Sequence, residues 1–142
     1  MLIAVRGKSA NYALLDYARK NIPCLIVDCA NVADPHSLPF ENPQVLDQIY
    51  VIQAEVIYSL RACLKKLNKL RTDTILITTF RLFDYGDENE NRNIYKHCWI
   101  LIKNISKRKT VVIGIDSEQE YFASKYADKV INWDTLQQAK GY

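Results

Sequence analysis

Apolar positions along the chain recur with two periods, and the two alternate. Residues 2–5 (LIAV) form a short continuous apolar run. Ala10, Ala13, Leu14, Tyr17 and Ala18 then recur at the spacing of an amphipathic helix, with Ser9 placed to cap it. The run IPCLIVD at 22–28, bounded by Pro23 and Asp28, predicts a strand buried on both faces. Residues 29–47 contain Asn31, Asp34, Pro35, Pro39, Asn42 and Pro43, and this density of breakers predicts a loop. IYVIQ at 49–53 resumes a strand. Ile57, Leu60, Leu64, Leu67 and Leu70 or Arg71 then follow helical spacing, while Arg61, Lys65 and Lys69 make a separate basic stripe four residues apart.

The alternation continues to the end. TILIT at 74–78 predicts a strand, and Trp99, Ile102 and Ile105 place a helix over residues 94–106. TVVIGI at 110–115 predicts another strand. SEQEYFASKYAD reads as a short helix capped by Asp116 or Ser117, and KVINW at 129–133 as a last strand. Strands that are apolar throughout, alternating with helices, predict a three-layer α/β fold with a mainly parallel sheet covered on both faces. Right-handed crossovers put the carboxyl ends of the strands on one rim, where ligands of such sheets bind. That rim should carry residues 6–9, 28–31 and 53–55, Thr78 and Thr79, and Asp116 with Ser117.

Composition narrows the picture in a few places. The chain has 142 residues, near the commonest size of one domain, so residues 1–142 are expected to form a single unit. Its longest apolar runs are strand-sized, well short of the roughly 20 residues that span a bilayer, and no secretion signal is visible at the start. A cytoplasmic protein without membrane contact is the expectation. Cys24, Cys29, Cys63 and Cys98 show no C-x-x-C spacing and form no finger pattern with His36 and His97, which argues against zinc. Cys24, Cys63 and Cys98 read as small buried residues. A formal net charge of +3 is too small for a dedicated nucleic-acid binder, leaving the Arg61, Lys65, Lys69 stripe as the candidate nucleic-acid contact beside its plainer reading as a solvated helix face. Most tyrosines, Tyr12, Tyr17, Tyr50, Tyr58, Tyr95 and Tyr126 among them, fall in predicted elements and read as packed or half-buried; Trp99 and Trp133 read as core.

Gly7-Lys8-Ser9, between the first strand and the first helix, matches the end of the phosphate-binding loop GxxxxGK[ST]. The first glycine of that loop would fall at Leu2, where Ile3, Ala4 and Val5 are needed for the strand, so the usual cradle of amides cannot form. Gly7, Lys8 and Ser9 remain candidates for a weaker anion site at a helix amino terminus.

The order strand, GKS, helix, CLIVDCANVADPHSL, IYVIQAEVIYSL, TILITTFRLF, VVIGID and YADKVINW resembles the ATPase core of RecA-like recombinases, especially the archaeal RadA and RadB type, over nearly the whole chain. The resemblance implies a truncated RecA-like P-loop NTPase core with degenerate motifs. Where that family has its catalytic glutamate, two residues after the aspartate of the second strand, this chain has Ala30, with Asp28 and Asp34 as the nearest acids. Where the family has a magnesium-supporting aspartate, this chain has Thr78 and Thr79; where its sensor strand ends in an amide, this chain has Gly114 and Asp116. Each such element is worth orders of magnitude in phosphoryl transfer, so efficient ATP hydrolysis is not expected. ATP or ADP, held without efficient turnover, is the cofactor the resemblance implies. The implied role is that of a regulatory or accessory factor in DNA recombination and repair, with a RadA-type recombinase or another repair protein as partner. The family's first DNA loop is here the acidic DYGDENENRN, so DNA binding is expected to be weak or absent.

Two other readings compete. LIVDCANV also looks like the first acidic strand of PIN or NYN nucleases, in which case Asp28, Asp84 or Glu88, and Asp116 would gather a divalent metal and activate water for phosphodiester cleavage. A binding module of unrelated ancestry, docking a protein through the sheet edge or the basic helix, is the third.

Overall fold

A computed structural model describes residues 1–7, 10–31, 47–55, 57–79 and 88–132. Its elements are β1 (Leu2–Arg6), α1 (Ala10–Lys20), β2 (Cys24–Asp28), β3 (Ile49–Gln53), α2 (Ile57–Leu67), β4 (Thr74–Ile77), α3 (Glu88–Ser106), β5 (Thr110–Ile115), a 3₁₀ turn (Ser117–Gln119), α4 (Glu120–Tyr126) and β6 (Lys129–Asn132). The six strands form one sheet in the order β3-β2-β4-β5-β1-β6, and every pairing is parallel.

Strand order and handedness together decide which face each helix covers. The steps from β1 to β2 and on to β3 run one way across the sheet, and the later steps run the other way. Right-handed crossovers therefore put α1 on one face and α2, α3 and α4 on the opposite one. The core divides accordingly. Ala10, Ala13, Leu14 and Ala18 of α1 pack with Val5, Cys24, Ile26, Leu76 and Val112. The alternate positions, among them Ala4, Leu25, Val27, Ile75, Ile77, Val111 and Ile113, pack with Leu60 and Leu64 of α2, Cys98, Trp99 and Ile102 of α3 and Ala123 of α4. Both sides of each central strand are buried, which is why the runs are continuous rather than alternating.

Several boundaries differ from the sequence expectation. β2 starts at Cys24 rather than 22, and β4 ends at Ile77 rather than 78. α2 stops at Leu67, leaving Leu70 41% exposed, so neither Leu70 nor Arg71 extends the apolar line. The Lys69 and Leu70 amides donate to the Lys66 and Leu67 carbonyls at 3.2 and 3.1 Å, the tighter i−3 bonds that close a helix. The buried Lys109 ammonium then donates to the carbonyls of Leu70 and Thr72 at 2.6 and 2.5 Å, anchoring the chain as it leaves the helix. α3 begins at Glu88, six residues before the expected start at residue 94. Tyr58 donates to the Glu90 carboxylate at 3.4 Å across that added turn. Of the tyrosines expected to pack, Tyr12, Tyr50 and Tyr58 are exposed. Trp99 is fully buried as expected, and Trp133 lies outside the described residues.

At the other end of the sheet Asp128 ties β1 to α3. Its carboxylate accepts the Leu2 amide at 2.7 Å and the Lys103 ammonium at 2.8 Å, and these bonds hold it below its ordinary value of 3.8. A depressed carboxylate contributes stability that is present above its unfolded pKa and is lost as pH falls through the lower folded value. The Asp128→Asn variant should therefore melt below the wild type at pH 7. The gap should close as thermal melts are taken below about pH 4, where the unfolded carboxylate protonates.

No helix among the described residues is long and apolar enough to cross a membrane.

Candidate functional site

β1 and β5 are neighbours, but β1 leads into α1 on one face and β5 into the 3₁₀ turn and α4 on the other. Adjacent strands whose exits part in this way open a crevice at the carboxyl rim. A cleft of about 520 Å³ lies there, within the size range of ligand sites, lined by the ends of β1, β4, β5 and β6 and the first turns of α1 and α4.

Gly7 forms one corner. Its φ of 123° is a conformation that side chains oppose, and its carbonyl accepts the Ala10 amide at 3.2 Å as α1 begins. Asn11, on that first turn, clamps the end of β4: its side-chain amide donates to Thr79 Oγ1 at 3.0 Å, and its Oδ1 accepts the Thr79 amide at 2.9 Å. Gly114 makes room for the clamp. A Cβ there would stand 3.2 Å from Asn11 Oδ1 and Leu14 Cδ1 and 3.3 Å from Thr79 Cγ2.

The opposite wall is charged. Arg6 donates through Nε to Asn132 Oδ1 at 2.7 Å, which fixes the guanidinium, and its Nη1 lies 3.5 Å from Glu120. Both charged side chains are about half exposed, so the ion pair contributes little to stability. Asp116 Oδ1 accepts the Glu118 and Gln119 amides at 3.1 and 3.3 Å, capping the 3₁₀ turn as the sequence predicts. Gln119 is in turn held from beneath, its Oε1 accepting the Trp99 indole N–H at 2.9 Å. Among the described lining residues the cleft thus has one cation, Arg6, against the carboxylates of Asp116 and Glu120.

A second polar cluster sits further along the rim, between β2 and β4. Thr78 is fully buried and Asp28 is 2% exposed. The Thr78 hydroxyl donates to Asp28 Oδ1 at 3.3 Å and accepts the Cys29 and Ala30 amides at 2.7 and 3.2 Å; Ala30 also donates to Asp28 at 3.2 Å. The arrangement satisfies the backbone where β2 ends and turns toward Asn31, whose φ is 56°.

Of the sequence candidates, Gly7 lines the cleft, whereas Lys8, Ser9, Asp34, His36 and Asp84 lie outside the described residues. Asp28 and Asp116 end β2 and β5 with β4 between them, and each accepts backbone amides. Among the described residues no group of three acids, histidines or cysteines is placed to hold a metal ion. Arg61 is half-buried with its guanidinium 5.5 Å from the Tyr58 ring centroid, and Lys65 is exposed on α2. Lys69 lies beyond the helix, in the turn, so the expected stripe is shortened to two helical positions. The thiols are free. Burial pushes Cys24 up to about 11 and Cys98 up to about 12, and raises Cys29 and Cys63 as well, leaving all four poor thiolate donors at neutral pH.

Asn11, Glu120 and Asn132 carry no sequence signal of their own. Each lies on a helix or strand as an ordinary polar residue, and only the strand order brings them to one opening.

No protein-family model matches the chain, and no curated protein matches its sequence.

Proposed function

We propose that this chain is a RecA-like core whose catalytic elements have degenerated, acting as a regulatory or accessory factor in DNA recombination and repair through protein contacts. One observation carries the reading. Thr78 and Thr79 directly follow β4, where the resembling ATPases need a free carboxylate, and both hydroxyls are committed to protein partners, Asp28 and Asn11. A hydroxyl tied into the fold supplies neither the charge nor the free ligand position that magnesium requires. The charges among the described lining residues support the same reading, since two carboxylates facing one guanidinium disfavour a triphosphate.

Retained ATP or ADP would sit against Gly7, with Lys8 and Ser9 beside it, without efficient turnover. DNA binding through Arg61 and Lys65 is at most weak and nonspecific, because two cations release few counterions. The test is functional coupling. Added to a RadA-type recombinase, the protein is expected to be retained in a pull-down and to change the recombinase's ATPase or strand-exchange rate. Absence of both retention and any rate change would remove the proposal.

A further inference from the structure

β3 is an edge strand, paired only with β2 among the described residues. The Cys24 amide donates to the Gln48 carbonyl and the Ala54 amide donates to the Asp28 carbonyl, so even-numbered positions of this segment turn their backbone groups toward β2. Alternation along a strand then turns the N–H and C=O of Ile49, Val51 and Gln53 outward, and no described residue pairs with them. The side chains beside that edge are apolar. Tyr50 and Ile52 are 56% and 36% exposed, although Leu25 and Val27, their neighbours on β2, are buried.

Strand edges are ordinarily protected by charge, proline or a bulge, and IYVIQ has none of the first two. Charge appears only at its ends, where Asp47 and Glu55 are both exposed. A second copy of this chain, pairing antiparallel about Val51, would set Asp47 opposite Glu55 and bring like charges together. Basic residues at the ends of an added strand would meet opposite charge in either direction of pairing.

We propose that the outer edge of β3 docks an extended segment of a partner protein, apolar at alternate positions and bearing Lys or Arg at its ends. Three main-chain donor and acceptor pairs supply the register, Tyr50 and Ile52 the apolar contact, and Asp47 and Glu55 the selection for basic ends. This goes beyond the accessory role, because peptide binding at β3 stands or falls without any recombinase.

The probe is a fluorescein-labelled peptide, Lys-Arg-Thr-Val-Thr-Val-Thr-Val-Arg-Lys, titrated with the protein and followed by anisotropy. Saturable binding is expected, weakened about tenfold or more when the basic residues of the peptide are replaced by Glu. Val51→Pro removes an N–H that no described residue accepts and should abolish binding while the far-ultraviolet circular dichroism is retained. The Asp47→Lys, Glu55→Lys double variant leaves the strand intact and should reverse the preference toward the Glu-ended peptide. Binding indifferent to these changes would overturn the proposal, as would no binding at all. A concentration-dependent dimer in sedimentation, lost in Val51→Pro, would also overturn it by assigning the edge to a second copy.

Discussion

Replacing Trp99 with alanine should lower the stability of the fold by about 3–5 kcal/mol, as large-to-small changes of buried aromatics do. Trp99 is fully buried on α3, stacked on Phe122 of α4 at 6.4 Å between ring centroids, and packed in the larger half of the core. Its loss leaves a cavity between two helices and the sheet, and it also leaves Gln119 without the indole donor. Trp99→Phe separates the two effects. Much of the packing is kept, but the Gln119 carbonyl oxygen is buried without that partner, at a cost of about 1–3 kcal/mol. Because Gln119 belongs to the turn that Asp116 caps, this variant should also loosen the cleft wall. Urea unfolding gives the stabilities, and hydrogen exchange at the Glu118 and Gln119 amides should quicken more in Trp99→Phe than exchange in α1.

The second large effect is expected at Thr78. Thr78→Val keeps the shape and removes the hydroxyl that receives the Cys29 and Ala30 amides and donates to Asp28. Ala30 retains its bond to Asp28, so the Cys29 amide is the group that loses its hydroxyl partner. Stability should fall by about 1–3 kcal/mol, while Thr78→Ser, which keeps the oxygen, should stay much nearer the wild type. That contrast, measured by urea unfolding, distinguishes a hydroxyl that finishes a strand end from one whose role is only to fill space.

The parts of the fold legible in the sequence are those written in burial. β2, β4 and β5 are covered on both faces, and their runs CLIVD, TILI and TVVIGI stand out because nothing polar interrupts them. The amino-terminal turn of α3 is not legible, since ENENRN has no apolar position to mark a period. The same holds for exposure along β3. Tyr50 and Ile52 are apolar like the core residues beside them, and their exposure follows from β3 lying at the sheet's edge, a fact of strand order that no local window contains.

The candidate site divides in the same way. Gly7 is conspicuous in the sequence because it sits at a strand-to-helix junction, and the Asp116 cap is legible from an acid at a helix start. The Asn11 clamp on Thr79 and the Arg6 contact with Asn132 join residues 68 and 126 positions apart, and nothing short of the topology reveals them. Gly114 shows how such distant needs are encoded. In a strand otherwise built of large or branched residues, it is small because Asn11, Leu14 and Thr79 converge on its face.

The proposed function requires that the rim at the ends of β1 and β4 does not split a nucleoside triphosphate efficiently. Magnesium-dependent ATP turnover by the purified protein, measured beside its Lys8→Ala variant, tests this most directly. Phosphate release is expected to be indistinguishable from the variant's at every magnesium concentration. Steady multiple turnover that disappears in Lys8→Ala would contradict it.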